Sequence, residues 1–83
     1  FTPAARRALG EELPETVAVA VLEFITGTLA QDPRRVGKPL RDPLVGLWSA
    51  RRGAYRVIYR IADGGGEILI SRIDHRSAAY RPR

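Results

Sequence analysis

A single histidine, His75, stands in this chain of 83 residues, at the head of the run H-R-S-A-A-Y that ends at Tyr80. Imidazole changes charge near neutral pH and can work as acid or base, so any such chemistry here rests on His75. Upstream lies G-L-W-S-A-R-R-G-A-Y-R-V-I-Y-R, Gly46–Arg60, in which arginines alternate with apolar and aromatic residues. An arginine fork binds two phosphate oxygens at once and does not deprotonate near neutrality. Arg56 is the first candidate for such a contact and Arg51 the second, while Arg52 points to the opposite face of a regular strand. Two arginine-bearing strands followed by a His/Tyr tail suit a phosphate site with a proton-transfer group beside it.

The elements that must position these residues are helical first and extended afterwards. Thr2-Pro3 reads as an N-cap with proline in the first turn, opening a helix to about Leu13 with Ala5, Leu9 and Leu13 on one face. Pro14 ends it. A second helix from Glu15 to about Ala30 carries Val17, Val21, Phe24, Ile25 and Leu29 as one apolar stripe, and so short a connection makes the pair antiparallel. Between Gln31 and Val45, Pro33, Gly37, Pro39 and Pro43 alternate with Arg34, Arg35, Lys38 and Arg41, the composition of an irregular basic loop. From there the period falls to two, giving strands over Leu47–Arg51, Tyr55–Ala62 and Glu67–Ile73. Arg52-Gly53-Ala54 and Asp63-Gly64-Gly65-Gly66 join them as an antiparallel meander. On the middle strand Tyr55, Val57, Tyr59 and Ile61 face one way; Arg56, Ile58 and Arg60 face the other. The expectation is an α+β domain in which a helical hairpin covers the apolar side of the meander and leaves an arginine-bearing side open. Trp48 then alternates onto the helix side and belongs to the core.

Eighty-three residues allow one small domain, 1–83, with no separate cofactor-binding unit. The chain has no cysteine, hence no disulfide and no thiolate metal ligand, and one histidine argues against zinc. No metal and no small-molecule cofactor are expected. No apolar run approaches a membrane span and the start lacks a signal pattern, which gives the expectation of a soluble, cytoplasmic protein. Phe1 is not an initiator methionine, which leaves room for a strand ahead of it. Thirteen of the fourteen basic residues are arginine, with a net charge of +5. A GC-rich coding bias accounts for arginine over lysine. The excess of basic over acidic residues points instead to a polyanionic or acidic partner. Lys38 and Arg41 in the basic loop suit either an RNA backbone, through counterion release, or acidic residues of a protein partner.

The stretch K-P-L-R-D-P-L-V-G-L-W-S-A-R-R-G-A-Y-R-V-I-Y, Lys38–Tyr59, with H-R-S-A-A-Y after it, resembles the RelE/ParE toxins of bacterial toxin–antitoxin systems, and RelE more than ParE. The likeness covers nearly the whole chain. Resemblance to RelE implies a ribosome-dependent endoribonuclease that cuts mRNA in the decoding site, neutralised by a small RelB-like antitoxin. Metal-free RNA cleavage turns the ribose 2′-hydroxyl on the adjacent phosphate. It needs proton removal, stabilisation of charge at phosphorus and protonation of the departing 5′-oxygen. By the resemblance Arg56 matches the arginine of Y-R-V-I-Y and Tyr80 the family's terminal tyrosine, which stacks on a base or donates a proton. Arg56, Arg51, His75 and Tyr80 are thus the catalytic candidates, with Arg52, Arg72, Arg76, Lys38 and Arg41 as RNA or phosphate contacts.

Three positions depart from the family pattern. RelE members carry lysines on the strand where this chain has Leu47 and Ser49, and some carry arginine at the position of Asp74. Arg72, two residues before Asp74 on the same face, or Arg76 after it, offers compensation. Two other readings share the fold: a ParE-like inhibitor of DNA gyrase without catalysis, and a degenerate toxin that only binds its antitoxin.

Overall fold

The computed structural model of the protein describes residues 1–62, 64 and 67–75. The first helix, α1, spans Pro3–Arg7 and widens into a π-type turn over Ala8–Glu12. The Thr2 hydroxyl caps it by accepting from the Ala5 N–H at 3.2 Å. That hydroxyl also donates to the Ser71 carbonyl at 2.6 Å, and the Thr2 N–H donates to the Ile70 carbonyl at 3.0 Å, so the cap pins the helix start to the sheet. After Pro14, α2 covers Glu15–Phe24 and also widens, over Ile25–Leu29. Each wide segment contains a glycine, Gly10 or Gly27, whose lack of a Cβ eases a departure from regular helix.

Among the described residues the sheet has four antiparallel strands in sequential order: β1 Lys38–Pro39, β2 Trp48–Arg52, β3 Tyr55–Ile61 and β4 Ile68–His75. Gly53, at φ +60°, supplies the left-handed residue of the two-residue turn between β2 and β3. Opposite the step from Ile58 to Tyr59 the register of β4 slips by one, leaving Ser71 as a bulge. The bulged residue's carbonyl is the one that takes the Thr2 hydroxyl.

The helices pack on one face of this sheet. Val21, Ile25 and Leu29 of the second helical segment meet Val57, Tyr59, Ala50, Ile70 and Ile73 of the strands. Ala5 and Ala8 face inward from the first, their small side chains letting that helix approach β4 closely, while Leu9 and Leu13 are half-buried. Trp48 lies on the helix side, stacked on Tyr59 with ring centroids 6.4 Å apart. Among the described residues no helix is long and apolar enough to cross a membrane.

The structure corrects the expected boundaries in three places that matter. The stretch 31–45 is not wholly irregular: it holds a single helical turn, α3 (Pro33–Val36), and the edge strand β1. Neither was legible, because one turn and two residues are too short to show a period, and proline is tolerated on a sheet edge. The last strand does not end at Ile73 but runs on through Asp74 and His75, which pair with Arg56 and Tyr55. His75 is therefore a strand residue rather than one that follows the strand. At the start of the meander, β2 runs from Trp48 to Arg52, so Arg52 belongs to the strand rather than to the turn.

Candidate functional site

In an antiparallel sheet, directly paired residues project from the same face. The register therefore sorts the candidates into rows. One row on the face away from the helices reads Lys38, Ser49, Ile58, Arg72. The next reads Arg51, Arg56, Asp74. Four cations and one carboxylate thus share two adjacent rows of one face.

Arg51 directly opposite Arg56 is a pairing that folding alone disfavours, since like charges on a cross-strand pair repel. Asp74 lies beyond Arg56 in the same row and forms an ion pair with Arg72. Arg72 thus neutralises the carboxylate of Asp74.

Between β1 and β2 the surface dips into a cleft of about 530 Å³. Lys38, Ser49, Arg51 and Arg56 form its polar lining, and Val36, Pro39 and Leu40 its apolar side. Lys38 reaches this place because β1 pairs with β2 and sets Lys38 opposite Ser49. The Leu40 N–H donates to the Leu47 carbonyl at 2.9 Å and extends the pairing by a step. The segment is held from beneath as well. Tyr59 is fully buried, and its hydroxyl donates to the Pro33 carbonyl. Burial pushes the Tyr59 phenol above its ordinary range, so the hydroxyl keeps the proton it donates. Gly37 lies directly over that ring: a Cβ there would fall 2.0 Å from the Tyr59 hydroxyl oxygen and 3.0 Å from the Ser49 carbonyl oxygen.

The other candidates lie elsewhere. His75 shares a row with Arg52 and Tyr55, on the side of the sheet that carries Val57 and Ile73. Its ring meets Tyr55 edge-on, centroids 5.3 Å apart. His75 and Arg56 therefore sit one row apart on opposite faces, and the structure does not bring them together. Arg41 is exposed in the turn after β1. Arg76 and Tyr80 lie outside the described residues. Ser49 and Leu40 carry no sign of a site role in the sequence, because their part in the cleft depends on the β1 pairing.

Comparison with known proteins bears on what such a cleft serves. The family model described as the ParE toxin of the type II toxin–antitoxin system parDE matches residues 1–80. The protein is 52% identical over 81 residues to toxin RelG of Mycobacterium tuberculosis, covering 98% of this chain and 92% of the relative. The chain belongs to the RelE/ParE toxin family. A second relative in this family, toxin RelE of the same organism, is 54% identical over 71 residues, covering 86% of this chain and 73% of the relative. The RelE/ParE fold is matched in the crystal structure of the toxin–antitoxin complex RelBE2 from M. tuberculosis. The TM-score is 0.85 at 53% identity, over 92% of this chain and 93% of that one. The RelE-like fold expected from the sequence is thereby shown, with β1 as an addition to the expected meander.

Proposed function

We propose that this toxin is a ribosome-dependent endoribonuclease that cleaves mRNA through attack of the ribose 2′-hydroxyl on the neighbouring phosphate. The observation that carries the reading is the Arg51–Arg56 pair in a cleft that Lys38 also lines. Two facing guanidinium groups repel each other unless an anion lies between them, and a scissile phosphate has the geometry to accept both. Charge that builds on phosphorus during attack is stabilised by such fixed donors. Arg72 shares its charge with Asp74, and Arg41, exposed in the turn after β1, adds positive charge outside the cleft. The expected partners are ribosome-bound mRNA and a RelB-like antitoxin. For the antitoxin, the outer surface of the helices offers an apolar groove of about 400 Å³ containing Leu9, Leu13, Val19 and Leu22.

Primer extension on translated mRNA after expression of the toxin tests this reading. Cuts within codons are expected from the wild type, and Arg56→Ala is expected to lower cleavage by about 10²–10³-fold, the cost of removing one charge-stabilising donor. A second reading, inhibition of DNA gyrase, is favoured by the match to the ParE family model and by the separation of His75 from Arg56. Growth arrest without mRNA cuts, together with trapped DNA–gyrase complexes, would decide for it.

A further inference from the structure

Among the described residues, the polar lining of the cleft holds a single group able to hand a proton to a leaving alkoxide under ordinary conditions. Arg51 and Arg56 carry guanidinium groups that do not deprotonate in proteins. Ser49 contributes a hydroxyl, a far weaker acid than an ammonium. His75 stands on the opposite face, against Tyr55. Lys38 is the only lysine of the chain. Chain composition makes it an exception, and the sheet register sets it opposite Ser49, one row from Arg51 on the adjoining strand and on the same face as Arg56 two strands away, so that all three line the cleft.

Its placement is fixed by packing that a merely solvated lysine does not need. The preceding residue is a glycine that no side chain can replace without striking Tyr59, and the following residues are laddered to β2. The buried Tyr59 hydroxyl holds the Pro33 carbonyl at the start of the turn that delivers Lys38. This arrangement delivers one ammonium group to the wall of a cationic cleft.

We propose that Lys38 is the catalytic acid of the cleft, protonating the 5′-oxygen that leaves when RNA is cut, and that Tyr59 and Gly37 are the positioning residues that present it. The inference rests on the nuclease reading. In the step, the 2′-oxygen loses its proton to water and bonds to phosphorus. The bond from phosphorus to the 5′-oxygen breaks, its electron pair stays on that oxygen, and the oxygen takes a proton from the Lys38 ammonium. The products are a 2′,3′-cyclic phosphate and a 5′-hydroxyl, and solvent returns the proton to Lys38.

A message with sulfur in place of the bridging 5′-oxygen at the cut site isolates this role, because a thiolate leaves without being protonated. On ribosome-bound ordinary mRNA, Lys38→Ala and Lys38→Arg are each expected to lower single-turnover cleavage by about 10²–10⁴-fold, the usual contribution of a positioned acid. On the sulfur-containing message both variants should approach the wild-type rate, while Arg56→Ala stays slow on both. Full activity of Lys38→Arg on ordinary mRNA would reduce Lys38 to a point charge and overturn the proposal. Persistent loss in Lys38→Ala on the sulfur-containing message would overturn it too, as would rescue of His75→Ala in its place. Absence of cleavage of either message by the wild type would sink the nuclease reading itself, an outcome separate from those three.

Discussion

Arg56 sits between Arg51 and Asp74 in one row of the sheet, and its neighbours set what substitutions there will do. Lysine is a poor replacement, since it offers a point charge where a planar fork binds two oxygens. Arg56→Lys is thus expected to recover only a minor part of the cleavage lost in Arg56→Ala, measured by primer extension. Arg51→Thr separates stability from activity. Removing one of two facing guanidinium groups relieves repulsion and should raise stability slightly, by at most about 0.5 kcal/mol after solvent screening. The same change should lower cleavage. Denaturant titration at low salt beside a cleavage assay reads both effects, and a loss of stability would show that the pair is not repulsive in the folded protein. Asp74 looked from sequence like a reversed charge at the worst position, yet its ion pair with Arg72 keeps it in a balanced local group.

At the scale of elements, the segment from α3 through β1 depends on one buried phenol and one glycine. Tyr59→Phe removes the hydrogen bond to Pro33 but keeps the ring that stacks on Trp48, so about 0.5–1.5 kcal/mol of stability should be lost. Gly37→Ala should cost more, because the added methyl meets the hydroxyl and ring of the fully buried Tyr59 and the Ser49 backbone. The phenol also predicts a pH dependence. Burial raises the folded-state pKa of Tyr59 above its unfolded value near 10. The unfolded chain then releases the proton first, so this contribution is intact below about pH 10 and is lost as pH climbs through the raised folded value. Thermal melts of wild type and Tyr59→Phe between pH 8 and 11 should show the wild type losing its advantage only at the alkaline end. A constant gap across that range would mean that the phenol titrates normally.

Across the whole molecule, the helices take one face of the sheet and leave the other to charge. The core is small: Leu29, Val57 and Tyr59 are among its fully buried side chains. Leu29→Ala should therefore cost about 2–5 kcal/mol, enough to deplete the folded toxin, and a urea titration checks it. A net charge of +5 makes binding to a polyanion strongly salt-dependent, since each neutralised phosphate releases counterions. Affinity for ribosomes should fall steeply as salt rises, and Lys38→Ala should flatten that slope as well as slow the chemistry.

Local periodicity carried a great deal of this in the sequence itself. Strand alternation places Trp48 and Tyr59 on the core side and Arg51 and Arg56 on the other because successive side chains on any strand must point to opposite faces. The 3.6-residue stripe through Val21, Ile25 and Leu29 marks the buried side of the second helix for a similar reason. The family was also legible, in the run from Lys38 to Tyr59. Only the tertiary structure decided which residues meet. Lys38 joins Ser49, Arg51 and Arg56 through a two-residue strand whose pairing is set by Tyr59 and Gly37 rather than by its own sequence. His75 parts company with Arg56 because β4 continues to the end of its partner β3, and one further residue along a strand turns a side chain to the other face. Period is a property of the local chain, whereas register is fixed by contacts between residues far apart in it.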